Sequence, residues 1–228
     1  MTAGNTPTKQ RLRAPSKRAL ANRARILDAA ELVFARAGFE AAKVREIAAT
    51  AGVPLGLVNH HTGSKEALFR EVVARRADEL ARLRRQALAQ AKAHGPLELP
   101  QVLDCFFRPY LEKAAGSDPQ WLAYARLVAI VSADPSWRDV SADLFDPTAQ
   151  LFLDEICALH PNASRAVVAE GFLYSVAALL AFLTSSWRIA ALSSDTDAAA
   201  SVEALAAFAA AGMSAVIAQA EANAPTTA

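Results

Sequence analysis

A chain of 228 residues that is 53% hydrophobic and 21% charged can bury a large core, and its abundant alanine beside only 9 glycines favours helices over sheet. The net charge of +1 conceals a division: residues 1–76 hold 14 Lys and Arg against 6 Asp and Glu, and residues 77–228 hold 10 against 17. A basic first third on an acidic remainder fits a nucleic-acid-binding head on a separate body, or a solvated basic face with no partner.

Residues 1–16 are polar and mildly basic, which predicts a flexible arm, and they contain no apolar stretch of the kind a signal peptide needs. The expected location is therefore the cytoplasm. A helix is predicted over 17–37, with Ile26, Ala29, Ala30, Val33 and Phe34 on one face and Gly38 at its end; Phe39 should fold back onto the core. A short helix over 44–51 turns Val44, Ile47, Ala48 and Ala51 inward. Gly52-Val53 makes a turn, Pro54 opens a further helix to about His61, Thr62-Gly63 breaks it and Ser64 caps the next. Helix, tight glycine-containing turn, helix is the helix-turn-helix pattern.

The second of these helices has the make-up of a major-groove reader. Val53, Leu57 and Val58 can lock inward, while Pro54, Leu55, Gly56, Asn59, His60 and His61 are left near the outside. Gly56 lets a backbone come close, Asn59 can pair with an adenine edge, and the two histidines can touch phosphate. Adjacent helical residues point about 100° apart, so His60 and His61 do not converge on one metal ion, and no Cys or carboxylate stands nearby at ligand spacing. No metal and no cofactor is expected; the competing bland reading is that one histidine packs against the next helix.

A long helix follows over 65–93, apolar at first and then heavily charged, ended by His94-Gly95-Pro96. Further helices are predicted at about 98–115, 119–132, 137–160, 164–192 and 198–221, with Asp146-Pro147 kinking or splitting the third of these. No strand-like alternation and no repeat appears. Cys105 and Cys157 lie in apolar helical stretches without a Cys-x-x-Cys spacing and read as buried free thiols. The region 98–160 gathers large rings, among them Trp137. They are either plain core or the walls of a small-molecule site formed by Phe106, Phe107, Tyr110, Trp121, Tyr124, Phe145 and Phe152 with Arg126, and with Arg108 and His160 as further polar candidates. No two groups stand at a spacing that makes an acid–base pair, so no enzyme is expected. Residues 171–187 carry no charge, but serines and a threonine interrupt them and Glu170 and Arg188 bound them. Together with 198–221, and with Gly171, Ala178, Ala209 and Gly212 permitting close approach, they suit a four-helix interface between two copies better than a membrane span; buried core of a single copy is the rival.

The stretch "RARILDAAELVFARAGFEAAKVREIAATAGVPLGLVNHHTGSKEALFREVV" carries a multi-part resemblance. Its Phe-x-x-x-Gly-Phe, Ile-Ala-x-x-Ala-Gly-Val and Gly-Ser-Lys-Glu-x-Leu resemble the DNA-binding domain of the tetracycline-repressor (TetR) family of bacterial regulators, over roughly residues 18–79. The resemblance implies an all-α homodimer: a three-helix head over 17–76 that binds palindromic operators, and a body over 77–228 that binds a small molecule and dimerises through its last two long helices. It also implies that Lys43 and Lys65 touch the DNA backbone, alongside the reading-helix residues above; Arg45, beside Lys43, is a further DNA-binding candidate. One departure stands out. Where the family commonly has Tyr-x-His-Phe, this chain has Asn59-His60-His61-Thr62, which removes an aromatic phosphate contact and a core Phe.

The expected whole is a ligand-responsive DNA-binding regulator, a repressor released from double-stranded operator DNA by a small apolar or amphipathic effector, with no membrane partner. The alternatives are a helical lipid carrier or enzyme with a basic head, and a DNA-binding regulator that takes no ligand.

Overall fold

The computed structural model describes residues 16–222. The predicted arm thus lies outside the described residues except for Ser16, whose hydroxyl accepts from the Ala19 N–H and starts the first helix. Among the described residues all regular structure is helical.

Three helices form the head: α1 (Lys17–Ala41), α2 (Val44–Ala51) and α3 (Leu55–Thr62). Helix α1 is broken near its end at Gly38, where φ is 75° and ψ 171°, a conformation open essentially to glycine alone. The break swings Phe39 back against Phe34 and Phe69. Gly52, at φ 62°, ends α2 and donates its N–H to the Ala48 and Ala49 carbonyls. Arg25, on α1, reaches over to hydrogen-bond the Ala51 and Gly52 carbonyls, so the turn between the two helices is held from outside.

Helix α4 (Lys65–Ala93) belongs to both halves of the molecule. Its first turns give Leu68, Phe69, Val72 and Val73 to the head core, and Leu80 and Leu88 go to the body. The body continues with α5 (Leu99–Ala115), α6 (Gln120–Ala133), α7 (Arg138–Leu144), α8 (Asp146–Leu159), α9 (Arg165–Ser185), α10 (Arg188–Ser193) and α11 (Val202–Ala222). Two predicted helices are divided. A 3-10 turn over Pro135–Trp137 precedes α7, and Phe145 parts α7 from α8, because Pro147 fits the first turn of a new helix but not the interior of an old one. The other division separates α9 from α10, where Thr184 bonds back to the Leu180 carbonyl and two serines follow, side chains that compete with the helical backbone.

Helices α9 and α11 run antiparallel, residues 171–175 lying beside 208–216 and residues 178–186 beside 200–208. Each is long and apolar enough to cross a membrane by length and composition. Part of each is nevertheless core: Phe172, Leu179, Ala209, Met213 and Ile217 are buried within the single chain.

Candidate functional site

Helix α3 has one inward anchor and one open face. Val58 is fully buried, with Val53 and Leu57 half-buried beside it. Pro54, Leu55, Gly56, Asn59 and His60 are exposed, and His61 is half-buried. The His60 and His61 rings lie 5.6 Å apart. Lys43 and Arg45, at the start of α2, are exposed as well. Thr62 stands where a phenylalanine was anticipated on family resemblance; its hydroxyl donates to the Val58 carbonyl at 2.9 Å, so the polar group is satisfied inside its own helix. Lys65 is not a free surface cation. Its ammonium donates to the carbonyls of Glu40 (3.0 Å) and Ala42 (3.4 Å) and sits 4.5 Å from the centre of the Phe39 ring.

Head and body are joined by a charged cluster under an aromatic one. Glu31 is fully buried on α1 and pairs with both Arg75 and Arg76 of α4. Burial pushes its carboxyl up to about 6, against the opposing pull of the two guanidinium groups. Arg75 also holds Asp28, and Arg76 holds Asp118. The Arg76 guanidinium lies 5.0 Å from the centre of Trp121, whose ring packs on Tyr110 and Tyr124. On the other side of the junction Trp137 packs edge-on to Phe39 and tilted against Phe69, at 4.8 and 4.6 Å.

The body holds a cavity of about 430 Å³ that is partly open to solvent. It is walled by Ala77, Leu80 and Arg84 of α4, Phe106 and Tyr110 of α5, Tyr124 of α6, Phe145 and Thr148, and Phe172 and Val176 of α9. Of the residues singled out in the sequence, Phe106, Tyr110, Tyr124 and Phe145 line it. Phe107, Trp121 and Phe152 are buried in the packing around it, Phe152 with its ring 5.0 Å behind Phe106. Arg126 is exposed: two residues from Tyr124 on one helix, it points some 200° away and cannot share the same wall. Arg108 is on the surface with Asp104, and His160 does not reach the cavity.

Arg84 is the cation in the lining, and sequence reasoning missed it. It sits in a charged run that reads as a solvated face, but Leu80, Arg84 and Leu88 follow one another at intervals of four and so share a side of α4. Its Nε–H donates to the Phe106 carbonyl at 2.9 Å, and the guanidinium lies 3.5 Å from the centre of the Phe106 ring. Burial lowers it to about 10, which leaves it charged at neutral pH.

The four small residues expected at an interface divide into two pairs. Gly171 and Ala209 are buried in the seam between α9 and α11; a Cβ on Gly171 would stand 3.1 Å from Met213 Cγ of the same chain. Ala178 is half-buried, and Gly212 is exposed with open space where a side chain would be. Around them the apolar side chains Tyr174, Trp187, Leu192 and Phe208 are left largely exposed.

Residues 26–72 match the family described as bacterial regulatory proteins, tetR family, and residues 104–212 match the tetracyclin repressor-like C-terminal domain. Together the two stretches span more than half of the chain. Among solved structures, a transcriptional regulator from Rhodococcus sp. Rha1 superposes with a TM-score of 0.57 at 18% identity, covering 87% of this chain and 97% of that one. A chain from Pseudomonas aeruginosa PAO1 gives 0.52 at 23% identity, covering 89% and 91%. Another from Rhodococcus sp. gives 0.51 at 16%, covering 87% and 99%. Likenesses at these identities speak to the fold. None of the curated proteins matches the chain.

Proposed function

The chain belongs to the tetracycline-repressor family of DNA-binding transcriptional regulators, and from that premise we propose that it is a cytoplasmic, homodimeric repressor that leaves a palindromic operator when a small molecule enters the body cavity. The observation that carries this reading is the double membership of α4. One helix supplies Leu68 and Phe69 to the core of the head and Ala77, Leu80 and Arg84 to the wall of the cavity. A ligand that prefers one tilt of α4 over another thereby biases the spacing of the two heads. That spacing must be about 34 Å, one turn of DNA, for both reading helices to enter successive major grooves.

In this reading Pro54, Leu55, Gly56, Asn59, His60 and His61 face base edges and the adjoining backbone, and Lys43, Arg45 and the remaining N–H of Lys65 meet phosphates. The second copy covers the outer side of α9 and α11, where Tyr174 and Phe208 flank the open position at Gly212. A regulator without a ligand would have a body packed solid, and the cavity weighs against that alternative.

The test is binding of the purified protein to the DNA upstream of its own gene, followed as salt is raised, with selection from random sequences run alongside. A preferred palindrome, bound with a log–log salt slope of about −0.9 per phosphate contacted, supports the reading. Absence of any preferred sequence in both formats overturns it.

A further inference from the structure

Arginines along the inner side of α4 are treated in two ways. Arg75 and Arg76 are each neutralised by carboxylates, from Glu31, Asp28 and Asp118. Arg84, two turns further on, pairs with no carboxylate among the described residues. Its Nε–H is used by the Phe106 carbonyl, and its two terminal nitrogens, with four N–H groups between them, make no hydrogen bond to any described residue. The ring of Phe106 at 3.5 Å and the Tyr110 ring at 5.9 Å hold the guanidinium in place, and the surface it keeps forms part of the cavity wall.

Two buried hydroxyls face the same space without a partner. Tyr124 and Thr148 are both buried, both line the cavity, and neither hydroxyl is hydrogen-bonded within the described residues. Tyr110, by contrast, has donated its hydroxyl to the Trp121 carbonyl at 3.2 Å. Asp146 is the one carboxylate in the lining; it is exposed and makes no ion pair with Arg84. A cation held in a largely apolar wall, with unused N–H groups in a planar fork that open into the cavity, favours an anion there, and the fork matches a carboxylate with two parallel bonds.

We propose that the cavity takes an amphipathic organic acid, its carboxylate held by the two terminal nitrogens of Arg84 with Tyr124 and Thr148 close by, and its apolar body lying among Phe106, Phe145 and Phe172. A space of about 430 Å³ fits a single medium-length chain or a substituted ring rather than a large conjugate. The inference deepens the reading of the cavity as an effector site and specifies the charge of the effector.

The experiment uses the full chain and matched probes: decanoate and 4-phenylbutyrate as acids, decanamide and 4-phenylbutanol as their neutral counterparts. Binding is measured by calorimetry and by the rise in Tm. Each acid should bind at least ten-fold more tightly than its neutral counterpart. In Arg84→Met that preference should vanish while the neutral probes still bind, and Arg84→Lys should keep part of it. Decanoate winning over 4-phenylbutyrate, or the reverse, tells an alkyl from an aromatic body. Equal binding of acid and neutral probes, no binding of either acid, or an acid preference that survives Arg84→Met overturns the proposal. Should Arg84→Met fail to fold, the preference in the unaltered chain and its reduction in Arg84→Lys still decide. DNA release is scored separately. If neutral compounds release DNA and acids do not, the regulator reading stands and the anion site falls. If acids bind through Arg84 but no operator is found, the anion site stands and the regulator reading falls.

Discussion

The ammonium of Lys65, the first residue of α4, donates to the backbone carbonyl of Glu40 at the end of α1. That bond, with a second to Ala42, closes the head by tying the helix after the reader to the end of the head's first helix. Lys43 has no such duty and stands exposed at the head of α2.

The two lysines should therefore separate on mutation. Lys65→Ala is expected to cost about 1.5–3 kcal/mol of stability, the scale of a charged hydrogen bond, and to weaken DNA binding as well. Lys43→Ala should leave Tm unchanged and reduce the salt slope of DNA binding by about one phosphate. Paired melting curves and salt titrations check both, and a Lys65→Ala protein that melts like the unaltered one would contradict the closure role.

Two glycines should respond in opposite directions to alanine. Gly38 holds a backbone conformation that side chains resist, so Gly38→Ala should destabilise by about 1–3 kcal/mol even though a Cβ there meets nothing. Gly56 is helical, exposed and uncrowded, and Gly56→Ala should stabilise by about 0.5–1 kcal/mol while weakening operator binding, because the methyl group lies on the reading face. Urea denaturation gives the first quantity and a binding titration the second.

Glu31 makes the junction sensitive to pH. Its folded value of about 6 exceeds the ordinary 4.5 because burial disfavours the charge, so the folded protein holds a proton that the unfolded chain releases between those values. The contribution of Glu31 to stability is thus full below pH 4.5 and declines as pH rises to 6, by about 2 kcal/mol. Subtracting the stability of Glu31→Gln from that of the unaltered protein across this window should isolate the decline. Parallel curves would show that the group does not titrate there.

Phe208 is 69% exposed on α11 with Tyr174 across the groove, too much apolar ring to leave in water. Phe208→Glu should shift the protein from dimer to monomer in sedimentation and lower operator affinity by at least an order of magnitude, since two heads no longer bind as one unit. Its heat stability as a monomer should change little, because most of the ring stands outside the packing of its own chain.

Most of the head could be read from residue types alone. Helix α2 has the predicted limits, and Gly38, Gly52, Gly63 and Ser64 all act at helix ends, because turn chemistry is local and glycine at positive φ leaves a clear mark. The body was legible as helices but not as a site. Whether an aromatic ring lines a cavity or lies behind one depends on helix rotation within a few tens of degrees, which separates Phe106 from Phe107 and Tyr124 from Arg126. Charged side chains misled most: Arg84 was hidden in a run that reads as solvent-facing, and Lys65 spends its charge on distant backbone.

Trp137 joins a body turn to the rings of Phe39 and Phe69 in the head. The two halves consequently share one aromatic nucleus and should melt in a single cooperative transition. A chimera that moves residues 17–76 onto another body would leave that nucleus without its third ring. Moving this head onto another body has to carry the tryptophan, or a substitute for it, across the seam.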